Sequence, residues 1–137
     1  MSMKRDAMNK EAIIEKYKMI PHEEGGYYAE ICKINNGAAS QIYYLLDKGE
    51  TAKWHRLGSE ELWLFHSGSP LTITLGGSDH EPQEETTAVI DNENPSFLIP
   101  QNHWQMAEAK EGAVLVSCIV SPAFTWEQWE LYPKEKY

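Results

Sequence analysis

The sequence predicts an all-β domain, a closed antiparallel barrel or two-sheet jelly roll, preceded by one short helix. Three observations carry that expectation. Beyond Pro21 the apolar runs are short, alternating, and rich in β-branched and aromatic residues. They recur at even spacing between turn clusters such as Asn35-Asn36-Gly37, Gly76-Gly77-Ser78-Asp79 and Asp91-Asn92-Glu93-Asn94-Pro95. No helical pattern lies between them, and parallel pairing would need crossover helices, so the strands are expected to run antiparallel.

Taken in order, Asn9 is a helix N-cap candidate, its side chain placed to accept a free backbone N–H. The helix it opens, over about 10–19, carries Ile13, Ile14, Tyr17 and Ile20 on one stripe, and Pro21 ends it by removing a donor. Strands follow at 27–34, 40–46, 52–57, 61–66, 71–75, 86–90, 96–99, 104–109 and 113–120. The polar stretch His80-Glu81-Pro82-Gln83-Glu84-Glu85 reads as an exposed loop. The tail 124–131 alternates large apolar with polar residues, as a terminal strand or a short amphipathic turn would. The chain reads as a single domain over 1–137, with its barrel at about 27–131.

Composition bounds the function. A chain of 137 residues buries roughly two thirds of its unfolded surface as one domain. With 12 basic and 21 acidic residues the formal charge is -9, which disfavours nucleic acid and anionic membrane surfaces as partners. The first residues lack the apolar centre of a signal peptide, and no window approaches the roughly 20 apolar residues of a membrane span. A cytoplasmic location is the expectation. Cys32 and Cys118 each sit in an apolar strand-like run, where a reduced, buried thiol is the usual occupant.

Chemistry concentrates in GETAKWHRLGSEELWLFHSG, residues 49–68. In a strand, Glu61, Trp63 and Phe65 share one face, and Lys53, His55 and Leu57 share another. If the two strands pair as a hairpin around Leu57-Gly58-Ser59-Glu60, His55 and Glu61 converge. Inward faces of a small barrel would then carry Lys53, His55, Glu61, Trp63, Phe65, His103 and Gln105. A histidine and a glutamate in an unhydrated core cost several kcal/mol, so this polar wall points to a wet, ligand-sized pocket.

Gly49, His55, Glu61 and Gly68 match the first motif of the cupin superfamily: glycine, five residues, His-x-His, three or four residues, glutamate, six residues, glycine. The second histidine position is Leu57. The second cupin motif, Pro-x-Gly-x-x-His, begins at Pro100, with Asn102 and Gln105 in place of glycine and histidine. The segments IPHEEGGYYAEI (20–31), QIYYLLDKGETAKWHRLGSEELW (41–63), IPQNHWQMAEA (99–109) and VSPAFTWEQWEL (120–131) resemble the fifth cupin family. Its members are small single-domain cupins, mostly of unknown function, related to germins and sugar-nucleotide epimerases.

The resemblance implies a cupin-type double-stranded β-helix and, by analogy, a homodimer. Three uses of the pocket follow. The leading expectation is binding of a small polar or aromatic metabolite, sugar-like or heterocyclic. Tyr28, Tyr44, Trp54, Trp63 and Trp104 offer stacking faces, and Glu30, His103 and Gln105 offer further contacts. A rival is a metal-independent epimerase or isomerase with His55 as base, Glu61 orienting it, and Tyr28, Tyr43 or Tyr44 as acid. The other rival is a metal-dependent oxygenase, with a divalent metal on His55, Glu61 and Gln105. His22 reads as an exposed loop residue, and His66 and His80 lack ligand spacing.

Overall fold

A computed structural model describes residues 8–133. Helix α1, Lys10–Tyr17, starts at Asn9, whose Oδ1 accepts from the backbone N–H of Ala12 at 3.0 Å. It ends earlier than the sequence suggests. Lys18 takes a left-handed conformation (φ 55°), and its N–H closes onto the carbonyls of Ile14 and Glu15. Ile20 therefore leaves the helical stripe. It lies with Pro21 in a short strand β1, Ile20–Pro21, paired antiparallel to Tyr27 and Tyr28.

The remaining strands are β2 Tyr27–Ile34, β3 Ala39–Leu46, β4 Thr51–Leu57, β5 Glu60–Gly68, β6 Leu71–Leu75, β7 Thr86–Ile90, β8 Ser96–Ile99, β9 Gln105–Glu108, β10 Val114–Ser121 and β11 Trp129–Leu131. Two antiparallel sheets form, ordered β1-β2-β3-β10-β5-β8 and β11-β4-β9-β6-β7. This is the two-sheet jelly roll. The nine strands expected from the sequence are present within a few residues. The tail resolves both of its alternatives, a 3₁₀ turn at Trp126–Gln128 running into β11.

The inner faces of the two sheets close on Leu46, Ala52, Phe65, Leu71, Ile73, Ile99, Ala107, Val114 and Val116. On the outer face of the larger sheet, Ile13, Ile14 and Tyr17 of α1 pack with Met19 over Ala29, Leu45 and Leu115. That placement explains why the helix is needed: without it Leu45 and Leu115, which the pleat turns outward, would face water.

Two bulges reset the parity that sequence alternation implied. One interrupts β4 between Ala52 and His55. Ala52, His55 and Leu57 are buried, whereas Lys53 points to solvent, so Lys53 is not an inward residue. The other lies between Glu30 and Cys32 in β2. Cys32 is exposed, contrary to expectation, while Cys118 is buried; both thiols are free.

Candidate functional site

His55 and Glu61 do converge, but not as a hairpin. β4 pairs with β9 and β11 in one sheet, and β5 pairs with β10 and β8 in the other. The intervening Gly58-Ser59 is a corner at which the chain changes sheets, so the two side chains face each other across the interior. The C-terminal segment holds this corner. The Gly58 N–H donates to the Gln128 carbonyl at 3.2 Å, and the Ser59 hydroxyl lies 2.9 Å from the Pro122 carbonyl and 2.8 Å from Gln128 Oε1.

His55 is 2% exposed. Its Nδ1 lies 2.7 Å from the Lys53 carbonyl oxygen, which can only accept. The neutral ring therefore carries its hydrogen on Nδ1 and a lone pair on Nε2. Glu61 is fixed by a buried chain: Trp63 Nε1–H donates to Gln105 Oε1 at 2.8 Å, and Gln105 Nε2–H donates to Glu61 Oε1 at 2.8 Å. An indole nitrogen only donates, so the orientation of the Gln105 amide is determined.

A second acid, unforeseen in the sequence, completes the site. Glu24 is buried in the loop before β2, its Oε1 3.5 Å from His55 Nε2, 3.6 Å from His22 Nδ1 and 3.1 Å from the donating Trp129 Nε1. Gly25 and Gly26 turn the loop inward with φ of 112° and 75°. A Cβ on Gly25 would sit 2.2 Å from the Thr51 carbonyl oxygen, so only glycine lets the loop lie this close to β4. Two bonds clamp it: Lys53 N–H to the Glu24 carbonyl at 2.8 Å, and Tyr44 O–H to the Gly25 carbonyl at 2.6 Å. His22 is not an exposed residue. Its side chain is buried beside Tyr28, ring centroids 4.6 Å apart, and its Nδ1 accepts the Glu24 backbone N–H at 3.2 Å.

These groups enclose a cavity of about 40 Å³, lined by His22, Glu24, His55, Glu61 and Cys118 on the polar side. Tyr28, Phe124, Trp126 and Trp129 form its aromatic side. A shallower trough of about 430 Å³ shares Tyr28, Ser40, Ile42, Phe124 and Trp126 with it. Burial pushes the carboxyls of Glu24 and Glu61 above the ordinary carboxylate range, against the pull of His22 on the first and His55 on the second. The same burial pushes the imidazoles of His22 and His55 down, opposed by Glu24 and Glu61 respectively. Burial and then Glu61 hold the Cys118 thiol well up, so it stays protonated. The site is a low-dielectric pocket in which ionisation is costly for every member.

The other expected site residues fall elsewhere. Tyr44 and Trp63 are buried beneath the cavity, their polar atoms committed to Gly25 and Gln105. Glu30 borders the outer trough. His103 sits outside, near Arg56 and Glu130, because Asn102 turns with φ of 64° before β9 begins. Trp104 is on that side too, its ring under the Arg56 guanidinium at 4.3 Å. The aromatic wall comes instead from Phe124, Trp126 and Trp129, whose alternation in the tail was the only sequence sign. Tyr43 faces outward against Tyr17.

The donors do not fit the metal expected on His55, Glu61 and Gln105. Leu57 offers no donor, and both ends of the Gln105 amide are spent on Trp63 and Glu61. Among the described residues no group of three or more His, Cys, Asp or Glu side chains is arranged to hold a metal ion. Likewise, no described helix is long and apolar enough to cross a membrane.

The family model described as Cupin superfamily (DUF985) matches residues 11–132. No curated protein matches the chain. Among solved structures, protein SO0799 from Shewanella oneidensis is 31% identical, with a TM-score of 0.79 over 91% of this chain and 85% of its own. A hypothetical protein from Leishmania major is 26% identical, with a TM-score of 0.75 over 89% and 86%. A cupin 2 conserved barrel domain protein from Rhodopseudomonas palustris is 16% identical, with a TM-score of 0.64 over 82% and 75%, a likeness of fold alone.

Proposed function

Because the chain belongs to the cupin superfamily, in the family whose model spans residues 11–132, we propose that its barrel pocket binds a small polar or aromatic metabolite. One observation carries this reading: His55, Glu24 and Glu61 are buried around a hollow rather than packed against hydrocarbon. Burying three ionisable groups costs several kcal/mol, and a folded chain tolerates that where a guest or ordered water completes their hydrogen bonds. The aromatic side supplies flat faces for the apolar part of such a guest.

A metabolite library screened by thermal shift tests the proposal. Some compounds should raise the melting temperature of the wild type but not of His55→Ala. A library that shifts neither protein removes the reading.

The His55 tautomer favours a second reading, metal-independent proton transfer. With Nδ1–H held by the Lys53 carbonyl, Nε2 would serve as the base, and Tyr28, which lines the same cavity, as the acid. Solvent deuterium should enter a bound keto-sugar with wild-type protein and not with His55→Ala; no incorporation across a panel of such sugars removes this reading. The proposal includes a homodimer, supported by the exposed side chains of Ile20, Ile31 and Leu98 and checked by sizing with light scattering. It also includes a cytoplasmic location, in keeping with two unpaired thiols, one of them exposed.

A further inference from the structure

The cavity lining brings together the lone pair of His55 Nε2 and the carboxyls of Glu24 and Glu61. His55 Nε2 lies 3.5 Å from Glu24 Oε1. Glu61 is bonded by the Gln105 amide and the Cys118 thiol, and Glu24 Oε1 lies within 3.6 Å of both imidazoles. Among the described residues no lysine or arginine lines the hollow. A bound carboxylate or phosphate would therefore meet two glutamates with no cation to offset them, a repulsion that grows in a low dielectric. A group that donates hydrogen bonds and carries positive charge would meet His55 Nε2 and the two carboxyls.

The far wall has the same preference. Trp126 stands edge-on to Phe124, with centroids 4.9 Å apart, and to Trp129, 5.1 Å apart, so the three rings form a box rather than a stack. Ring faces in such a box attract cations. Size limits the guest as well: about 40 Å³ admits a head group displacing about three water molecules, and the trough beyond Trp126 has room for the rest.

We propose that the cavity takes a compact protonated nitrogen group, an ammonium or amidinium, as the head of a ligand whose tail lies in the trough between Tyr28 and Trp126. This rests on the binding function proposed above and narrows it to one charge class. The head donates to His55 Nε2, Glu24 and Glu61, and the tryptophans cover its charge.

Benzamidine, benzamide and benzoate share a shape and differ in the charge of the head, so calorimetric titration with the three is the test. Benzamidine should bind at least about tenfold more tightly than benzamide, with benzoate weaker still. Glu24→Gln and Glu61→Gln should each weaken benzamidine by about tenfold and leave benzamide within about twofold. Trp126 is 47% exposed, so Trp126→Ala should fold even if the glutamine variants do not; it should weaken benzamidine more than benzamide. Equal binding of all three probes, or a preference for benzoate, overturns the charge selection and leaves the binding function standing. Binding of none up to about 10 mM overturns the charge selection, while the metabolite screen alone decides the binding function.

Discussion

The two ends of the barrel are built on the same strands and filled differently. β4 contributes Ala52 at one end and His55 at the other; β5 contributes Phe65 and Glu61; β10 contributes Val114 and Cys118. At the closed end the side chains interlock as hydrocarbon with Leu71, Ile73 and Ile90. At the open end the same pleat delivers carboxylates and imidazoles around a hollow. The difference teaches that this scaffold gains its stability at one end and exposes its chemistry at the other, so substitutions at the two ends should fail in different ways.

The largest expected effect is at the closed end. Leu71→Ala should destabilise the fold by about 2–5 kcal/mol in urea unfolding while leaving the affinity of any ligand still bound by the folded fraction unchanged. At the open end, Gly25→Ala should cost about 1–3 kcal/mol from its left-handed backbone and carbonyl clash, and should abolish ligand-induced thermal shifts because Glu24 is displaced. Tyr44→Phe is subtler. Loss of the bond to the Gly25 carbonyl should cost about 1 kcal/mol and weaken binding through the same loop, as chemical denaturation and calorimetry would measure.

The smallest effect depends on pH. Burial raises the folded-state pKa of Glu61 above the unfolded value, so its contribution is fully present below about pH 4.5 and is lost as pH rises through the folded value. His22 and His55 work in the opposite direction, their contribution being lost as pH falls below about 6.5 toward their lowered folded values. Glu61→Gln removes the first contribution and, by taking away the carboxylate that opposes burial at His55, lowers that imidazole further. Its melting temperature relative to the wild type should therefore climb as pH is raised from 4.5 to 8, whereas a flat or falling difference would show that Glu61 is not held against its charge.

The fold was legible because a strand with one buried face must alternate, as the apolar and polar residues of Leu71-Thr72-Ile73-Thr74-Leu75 in β6 do. Helix α1 was legible at its start, where Asn9 has a single local role, and less so at its end, where Lys18 adopts a conformation that its chemistry does not announce. Of the site, His55 and Glu61 could be found because regular strands fix their direction. Lys53 was misplaced because the bulge after Ala52 is a two-strand event, visible only once β4 meets β9. Glu24 and His22 stayed hidden because a loop has no period. Their signal was the Gly25-Gly26 pair, which permits a reversal without saying that the charged residues before it turn inward.

The corner at Gly58-Ser59 has a mechanical corollary. Since His55 and Glu61 belong to opposite sheets, a guest touching both is a cross-brace between the two halves of the sandwich, and its departure frees them to breathe against each other. Amide protons in β4 and β5 should then exchange with solvent more slowly together when the pocket is filled, a coupling that a hairpin joining these strands directly would not have produced.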